Sequence, residues 1–281
     1  AVYPVQGTDA GGTTLVVTGT NFADGPLLYC KLGSLAASQG TWLSSTSVRC
    51  VTPASGSTGN ATVQISNNNL DFVSGPNYRY LAAPTVAALS VATGPVRGGT
   101  VVSVSGTNFD VSGPSGYVKC LFGTREVTAS ASSNTTWIIC TSPAGSAGAV
   151  AVKLSFSNGV DYTPTSTTFT YYADQTVSSI SPVNGGVGGG TNVTVTGSGF
   201  AGATQCKFGS TAVATATVVN GQTVMCLSPV GSAGSVSVEV SQNGLDYTQD
   251  GVRFEYQATA TVTAVYPVQG TDAGGTTLVV T

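Results

Sequence analysis

One alternating pattern recurs along this 281-residue chain: GGTTLVVTGTNF at 11–22, GGTVVSVSGTNF at 98–109 and GGTNVTVTGSGF at 189–200. Its start returns a fourth time as GGTTLVVT at 274–281, and residues 264–281 repeat residues 1–18 letter for letter. The second glycine of each pair falls at 12, 99, 190 and 275, so the period is 85–91 residues. A period of that size means small units in tandem, each of which must bury its own apolar face. The repeat is nested: three loosely similar units make one larger unit, and a second larger unit opens at 264 with an identical sequence. That pattern predicts a larger unit copied several times in the full protein.

Within a unit the periodicity is two. Leu15, Val17, Val102, Val104, Val193 and Val195 fall on one face of their strands, and Val16, Ser103 and Thr194 on the other, the alternation of a half-buried strand. Farther on, LSFSNGVDY at 154–162 and VSVEVSQNGLDY at 236–247 place Asn-Gly between extended runs. That dipeptide predicts a tight hairpin turn at positive φ; the first unit has SNNNLDF in its place, and asparagine tolerates the same conformation next best. Each unit closes on an aromatic strand, YRY at 78–80, FTY at 169–171 and FEY at 254–256. Gly, Pro, Asn or β-branched residues interrupt every candidate helix, so an all-β chain is expected.

The six cysteines fall at Cys30 and Cys50, Cys120 and Cys140, and Cys206 and Cys226, three pairs with one spacing and no cysteine left over. Zinc needs clustered ligands such as CxxC or histidine, and neither occurs. Three disulfides within the repeats, 30–50, 120–140 and 206–226, are expected, and with them an oxidising, extracellular compartment. Closing a loop of about twenty residues contributes on the order of 3 kcal/mol, a large share of the roughly 5–15 kcal/mol that holds a small domain together. No apolar run approaches the roughly 18 residues of a membrane span, and no charged-then-apolar leader opens this stretch.

The ordered landmarks GGTxVxVxGxNF, CxFG, a second Cys followed by SP or TP, SNGxDY and F-x-Y resemble the IPT/TIG domain, a family of immunoglobulin-like β-sandwiches. The likeness covers three whole units and the beginning of a fourth. Departures are small: Cys30 is followed by KLG, and the first SNGxDY position lacks its glycine. The resemblance implies tandem sandwiches at 1–81, 82–173 and 174–257, with 258–281 the start of a fourth that repeats the first. The family includes receptors, transcription-factor modules, enzyme accessory domains and structural arrays, so the fold alone leaves function open.

Chemistry is scarce. With no histidine and all thiols assigned to bridges, Ser-His, Cys-His and free-cysteine nucleophiles are excluded. Asp71, Asp161 and Asp246 recur at one position, where capping the turn is the expected role; one carboxylate per loop is too few for calcium. No catalytic residue, metal ligand or cofactor is expected. The nine Lys and Arg are scattered and the net charge is −3, which argues against nucleic acid. Three sequons, at Asn60, Asn134 and Asn192, mark candidate glycan sites, Asn192 on the outward face of its strand and Asn134 in the polar run SASSNTT.

The segments between units, AAPTVAALS, ADQTVSSISP and QATATVTAVYP, carry Pro and β-branched residues instead of long Gly/Ser stretches, and predict a stiff, rod-like array. Three sandwiches of about 35–45 Å each would give an axial repeat on the order of 100–130 Å. The leading expectation is a non-enzymatic, extracellular structural protein: part of a fibre, stalk or surface appendage whose partners are further repeats or other copies. The alternative is an adhesin or receptor ectodomain whose loops hold a glycan or cell-surface protein. Residues 258–281 alone are too short to bury a core, and as a free end are expected to be unfolded or attached to something else.

Overall fold

A computed structural model describes residues 1–130, 133–163, 167–210 and 212–281. The chain divides into two compact units, residues 1–174 and 175–281. The first holds two immunoglobulin-like sandwiches, the second one sandwich and a terminal strand pair.

In the first sandwich one sheet runs in the order Val2–Tyr3, Thr14–Thr18, Ser47–Val51, Thr41–Ser44. The facing sheet runs Gln6–Thr8, Val73–Leu81, Gly59–Ser66, Tyr29–Leu32, Ser38–Gln39, with Gln6–Thr8 parallel to its neighbour. The chain thus crosses from one sheet to the other between Tyr3 and Gln6, about the cis Tyr3–Pro4 bond. The second sandwich repeats this plan with Thr85–Leu89, Val101–Thr107 and Trp137–Thr141 on one side. Thr93–Pro95, Thr168–Tyr172, Gly148–Ser155, Lys119–Phe122 and Arg125–Thr128 form the other. In the third, the strand Ala212–Asn220 pairs with Gln205–Phe208 at its start and with Thr223–Leu227 at its end, so it joins both sheets.

The sequence landmarks map onto one recurring piece of physics. Alternation buries Leu15, Val17, Val102, Val104, Val193 and Val195, between 0 and 4% exposed. A disulfide ties the two sheets in each core: Cys30–Cys50, Cys120–Cys140 and Cys206–Cys226. Both residues of each GG pair have positive φ, 73–91° across the three sandwiches, a conformation that costs glycine nothing and other residues a steric penalty. At the first glycine there is a second reason: a Cβ on Gly11 would run into the backbone of Pro53 and Ala54.

The threonine or serine of the TP/SP step then accepts the N–H that begins the next strand: Thr13 to Thr52, Thr100 to Ser142, Thr191 to Ser228, all at 3.1 Å. The proline carbonyl of the same step accepts the hydroxyl of the closing tyrosine: Tyr80 to Pro53 at 2.9 Å, Tyr171 to Pro143 at 2.7 Å and Tyr256 to Pro229 at 2.8 Å. That explains F-x-Y. Its first ring packs edge-on against the second at 5.0–5.1 Å, and its tyrosine bonds the segment that follows the second cysteine.

Two expectations need correction. The Asn-Gly dipeptides adopt positive φ at Asn158, Gly159 and Gly244, and Asn69 does so in the first sandwich, but none sits in a two-residue hairpin. Around Asn69 the flanking strands last pair at Ile65 and Val73; in the second sandwich the Leu154 carbonyl accepts the Thr163 N–H, and in the third Ser241 pairs with Tyr247. Side chains close these wider loops. Asn68 Oδ1 accepts the N–H groups of Leu70 and Asp71, and Asn68 Nδ2 donates to Asp71 Oδ2 at 2.8 Å; Asn243 and Asp246 repeat the arrangement.

Residues 258–281 are the second correction. They are not without structure: Val265 pairs with Val280 and Tyr266 with Val279.

Candidate functional site: the joint between the first two sandwiches

The polar contacts richest in specific chemistry lie where the first sandwich meets the second. Leu81 ends the closing strand of the first sandwich but is buried in the core of the second, at 6% exposure. Its carbonyl accepts the N–H of Asp9 at 2.7 Å, and Asn108 Nδ2 holds the carbonyl of Ala83 at 3.0 Å. The connecting segment is therefore pinned on both sides.

Around it the strand Gln6–Thr8 and the turn before it present three residues to the second sandwich. Gln6 is 3% exposed and its Nε2 donates to the Phe156 carbonyl at 2.9 Å. The Val5 N–H donates to Tyr117 Oη at 2.7 Å; burial pushes that phenol upward, opposed in part by the N–H it accepts and reinforced by Tyr3. Tyr3 Oη receives Asn158 Nδ2 at 2.8 Å. On another side Arg79 reaches Asp110 Oδ2 at 2.9 Å and Ser112 Oγ at 2.6 Å. Gly113 leaves the room for Gln6: a Cβ there would stand 2.9 Å from Gln6 Nε2.

A groove of about 620 Å³ follows the same joint, lined by Gly11, Gly12, Pro84, Phe156, Val160 and Asp161 among others. Asp161 differs from its counterparts. Its N–H donates to Ser157 Oγ at 2.8 Å, but its Oδ2 is buried without a hydrogen-bond partner, whereas Asp71 and Asp246 accept from asparagine side chains.

Among the described residues no three His, Cys, Asp or Glu side chains converge as a metal site. The sequons are placed unequally. Asn60 and Asn192 are exposed on strands. Asn134 is half-buried, and its Oδ1 accepts Thr136 N–H, Thr136 Oγ1–H and Trp137 N–H at 2.9–3.0 Å. Of the polar run around it, Ala131 and Ser132 lie outside the described residues.

Sequence reasoning singled out Asp161 and the turn holding Asn158, but not Gln6, Tyr117, Arg79 or Asp110, because these sit where the repeats differ. Position 6 is Gln where the other sandwiches have Thr93 and Asn184; position 117 is Tyr where they have Leu27 and Ala203. The readable signal was in the verbatim copy: Tyr3, Val5 and Gln6 return as Tyr266, Val268 and Gln269.

The profile of one family, described as the IPT/TIG domain, matches residues 1–80, 84–171 and 176–256. Fibrocystin-L of Mus musculus is 30% identical over 295 residues, and Fibrocystin-L of Homo sapiens 29% over 301. Each alignment covers 100% of this chain but 6% of the relative, so the chain spans a small fraction of their length. A solved structure of the Plexin A4 full extracellular region superposes with a TM-score of 0.46 at 18% identity, over 97% of this chain and 26% of that one.

Proposed function

We propose, for a chain that belongs to the IPT/TIG domain family, a non-enzymatic structural role: a segment of an extracellular fibre, stalk or surface appendage made of tandem sandwiches. The observation that carries this reading is the copy of one side of the joint. Gln6, Val5 and Tyr3 fix one sandwich to the next through three hydrogen-bonded contacts, and the same three residues recur in an identical eighteen-residue context at 264–281. A protein whose role is reach keeps the residues that set the angle between neighbours. A binder instead diversifies loops. Three disulfides and the sparse charge suit an oxidising exterior, and the partners in this reading are further repeats or other copies of the chain.

Electron microscopy of native material tests it: filaments with a regular axial spacing are expected, and dispersed particles without one would overturn the fibre reading. A second reading, an adhesin or receptor ectodomain, draws on the groove beside Asp161, whose buried, unpartnered carboxylate oxygen suits a ligand with hydroxyl or amine donors. Glycan-array binding by the chain, abolished by Asp161→Asn, is the result that would favour it.

A further inference from the structure

We propose that Asn220, in the turn that joins the strands Ala212–Asn220 and Thr223–Leu227, is a site of spontaneous deamidation: its side chain closes on the Gly221 nitrogen and leaves aspartate and isoaspartate in its place. Asn-Gly is the step at which this reaction is least hindered, because no side chain stands beside the attacking nitrogen. The chain has four such steps, at 158–159, 184–185, 220–221 and 243–244, and the structure treats one of them differently.

The reaction needs a free glycine nitrogen. That nitrogen gives up its proton and bonds to the asparagine Cγ, the Cγ–Nδ2 bond breaks, and ammonia leaves with the proton. Water then opens the cyclic imide. Attack at Cγ returns an ordinary aspartyl peptide; attack at the backbone carbonyl leaves an isoaspartyl one, whose main chain runs through the side-chain methylene. An N–H already donated to an acceptor is held out of the first step. Gly159 donates to Ser155 Oγ and Gly244 to Ser241 Oγ, each at 2.9 Å, and both serines are buried. Gly185 lies in the parallel ladder beside Tyr256, where regular pairing commits its N–H to the Glu255 carbonyl. Gly221 makes no such bond among the described residues. It and Asn220 are exposed, in a turn whose ends, Asn220 and Thr223, face each other.

The same turn presents the carbon to be attacked. Asn220 Oδ1 accepts the Gln222 N–H at 2.8 Å, which folds the amide back over the Gly221 peptide and draws electrons from Cγ. Asn134 is the matched contrast: its Oδ1 accepts the Thr136 N–H in the same way, but Thr135 follows it, and a branched side chain crowds the nitrogen. Modification at 220 also has a structural consequence. The Gly221 carbonyl accepts the Phe200 N–H at 3.0 Å and the Gln222 carbonyl that of Gly197 at 2.9 Å, and Phe200 is fully buried in the third core. An isoaspartyl link lengthens the main chain beside these bonds and loosens the segment that they hold. Each event adds one negative charge and runs one way, so it marks the age of the chain, whatever the role of the array.

The test incubates the whole chain in mildly alkaline buffer, folded in one arm and unfolded in urea with its bridges reduced in the other. Digested peptides are read by mass spectrometry with electron-transfer fragmentation, which separates aspartate from isoaspartate. Unfolded, the four Asn-Gly steps should lose their amides at similar rates. Folded, Asn220 should stay within about threefold of its unfolded rate while 158, 184 and 243 slow by more than roughly tenfold, the factor that about 1.4 kcal/mol of local opening represents. Both aspartate and isoaspartate are expected at 220. A Cβ at Gly221 meets nothing within 4 Å, so Gly221→Ala should leave the melting temperature unchanged and slow the modification severalfold. The aged fraction of the unaltered chain, separated by its added charge, should melt lower in the third sandwich alone. Equal rates at the four folded sites, aspartate without isoaspartate at 220, or a rate that Gly221→Ala leaves unchanged would each overturn the proposal.

Discussion

Gln6 and Phe156, 150 positions apart, are joined by a 2.9 Å hydrogen bond from a buried side-chain amide to a backbone carbonyl across two sandwiches. Truncating Gln6 leaves that carbonyl in the joint without its donor, a loss of about 1–2 kcal/mol. Gln6→Ala is expected to lower the melting temperature of the first two sandwiches and to widen the angular distribution between them in solution scattering. Arg79→Ala is the contrast. Arg79 is 44% exposed where it meets Asp110, and exposed ion pairs contribute roughly 0–1 kcal/mol. Equal effects from the two substitutions would show that the joint is held by charge and not by the buried amide.

Tyr78 and Tyr80 stand two residues apart and should respond in opposite ways to the same change. Tyr80 donates to the Pro53 carbonyl, so Tyr80→Phe is expected to cost about 1 kcal/mol. Tyr78 occupies the place of Phe169 and Phe254, fully buried, and its hydroxyl has no hydrogen-bond partner in the structure. Tyr78→Phe removes a desolvated, unsatisfied group and is expected to be neutral or stabilising by up to roughly 1 kcal/mol. Thermal unfolding of both variants decides; a clear destabilisation by Tyr78→Phe would mean that the hydroxyl is satisfied, for example by buried water.

What could be read from the sequence was whatever repeats. Alternation at Leu15 and Val17, the GG pair and the aromatic closing strand are imposed by one sandwich core, and three copies made them visible. The width of the loops at Asn69 and Asn158 was not legible, because it depends on side chains such as Asn68 and Ser157 closing the turn. The joint was hidden for the opposite reason. Gln6, Tyr117 and Asp110 each sit where the other units carry something else, and a contact between sandwiches leaves no period within one.

Each inter-sheet bridge spans twenty positions, and removing one is expected to destabilise its own sandwich by about 3 kcal/mol. Cys206→Ala with Cys226→Ala should lower the melting of residues 175–257 and leave the first two sandwiches unchanged. Peptide mapping without reduction should return the pairs 30–50, 120–140 and 206–226. A link between different sandwiches would refute this pattern.

The sequons should differ in occupancy if the chain is made in a eukaryotic secretory pathway. Asn60 and Asn192 are exposed on strands, while Asn134 commits its Oδ1 to three donors in a closed turn. Fuller modification at 60 and 192 than at 134 is expected from intact mass and glycopeptide analysis. An unchanged mass after enzymatic deglycosylation would reject all three sites.

Alkali should unfold this protein in a defined window. Burial raises Tyr80 from 10.0 to about 12, opposed slightly by a hydrogen bond from Thr52, and burial likewise raises Tyr171 and Tyr256 at the same position of the other sandwiches. Tyr78 is raised further, again by burial. A raised tyrosine keeps its proton in the folded state after the unfolded chain has lost it, so its contribution is complete below about pH 10 and disappears as pH climbs from 10 to 12. There is no histidine to titrate near neutrality. Urea unfolding between pH 8 and 12 should therefore show little change to pH 10 and a steep fall beyond it. Tyr80→Phe should reduce that fall, since the substituted ring has no proton to lose. A loss of stability that begins below pH 9, or one that Tyr80→Phe leaves unaltered, would assign the alkaline transition to other groups.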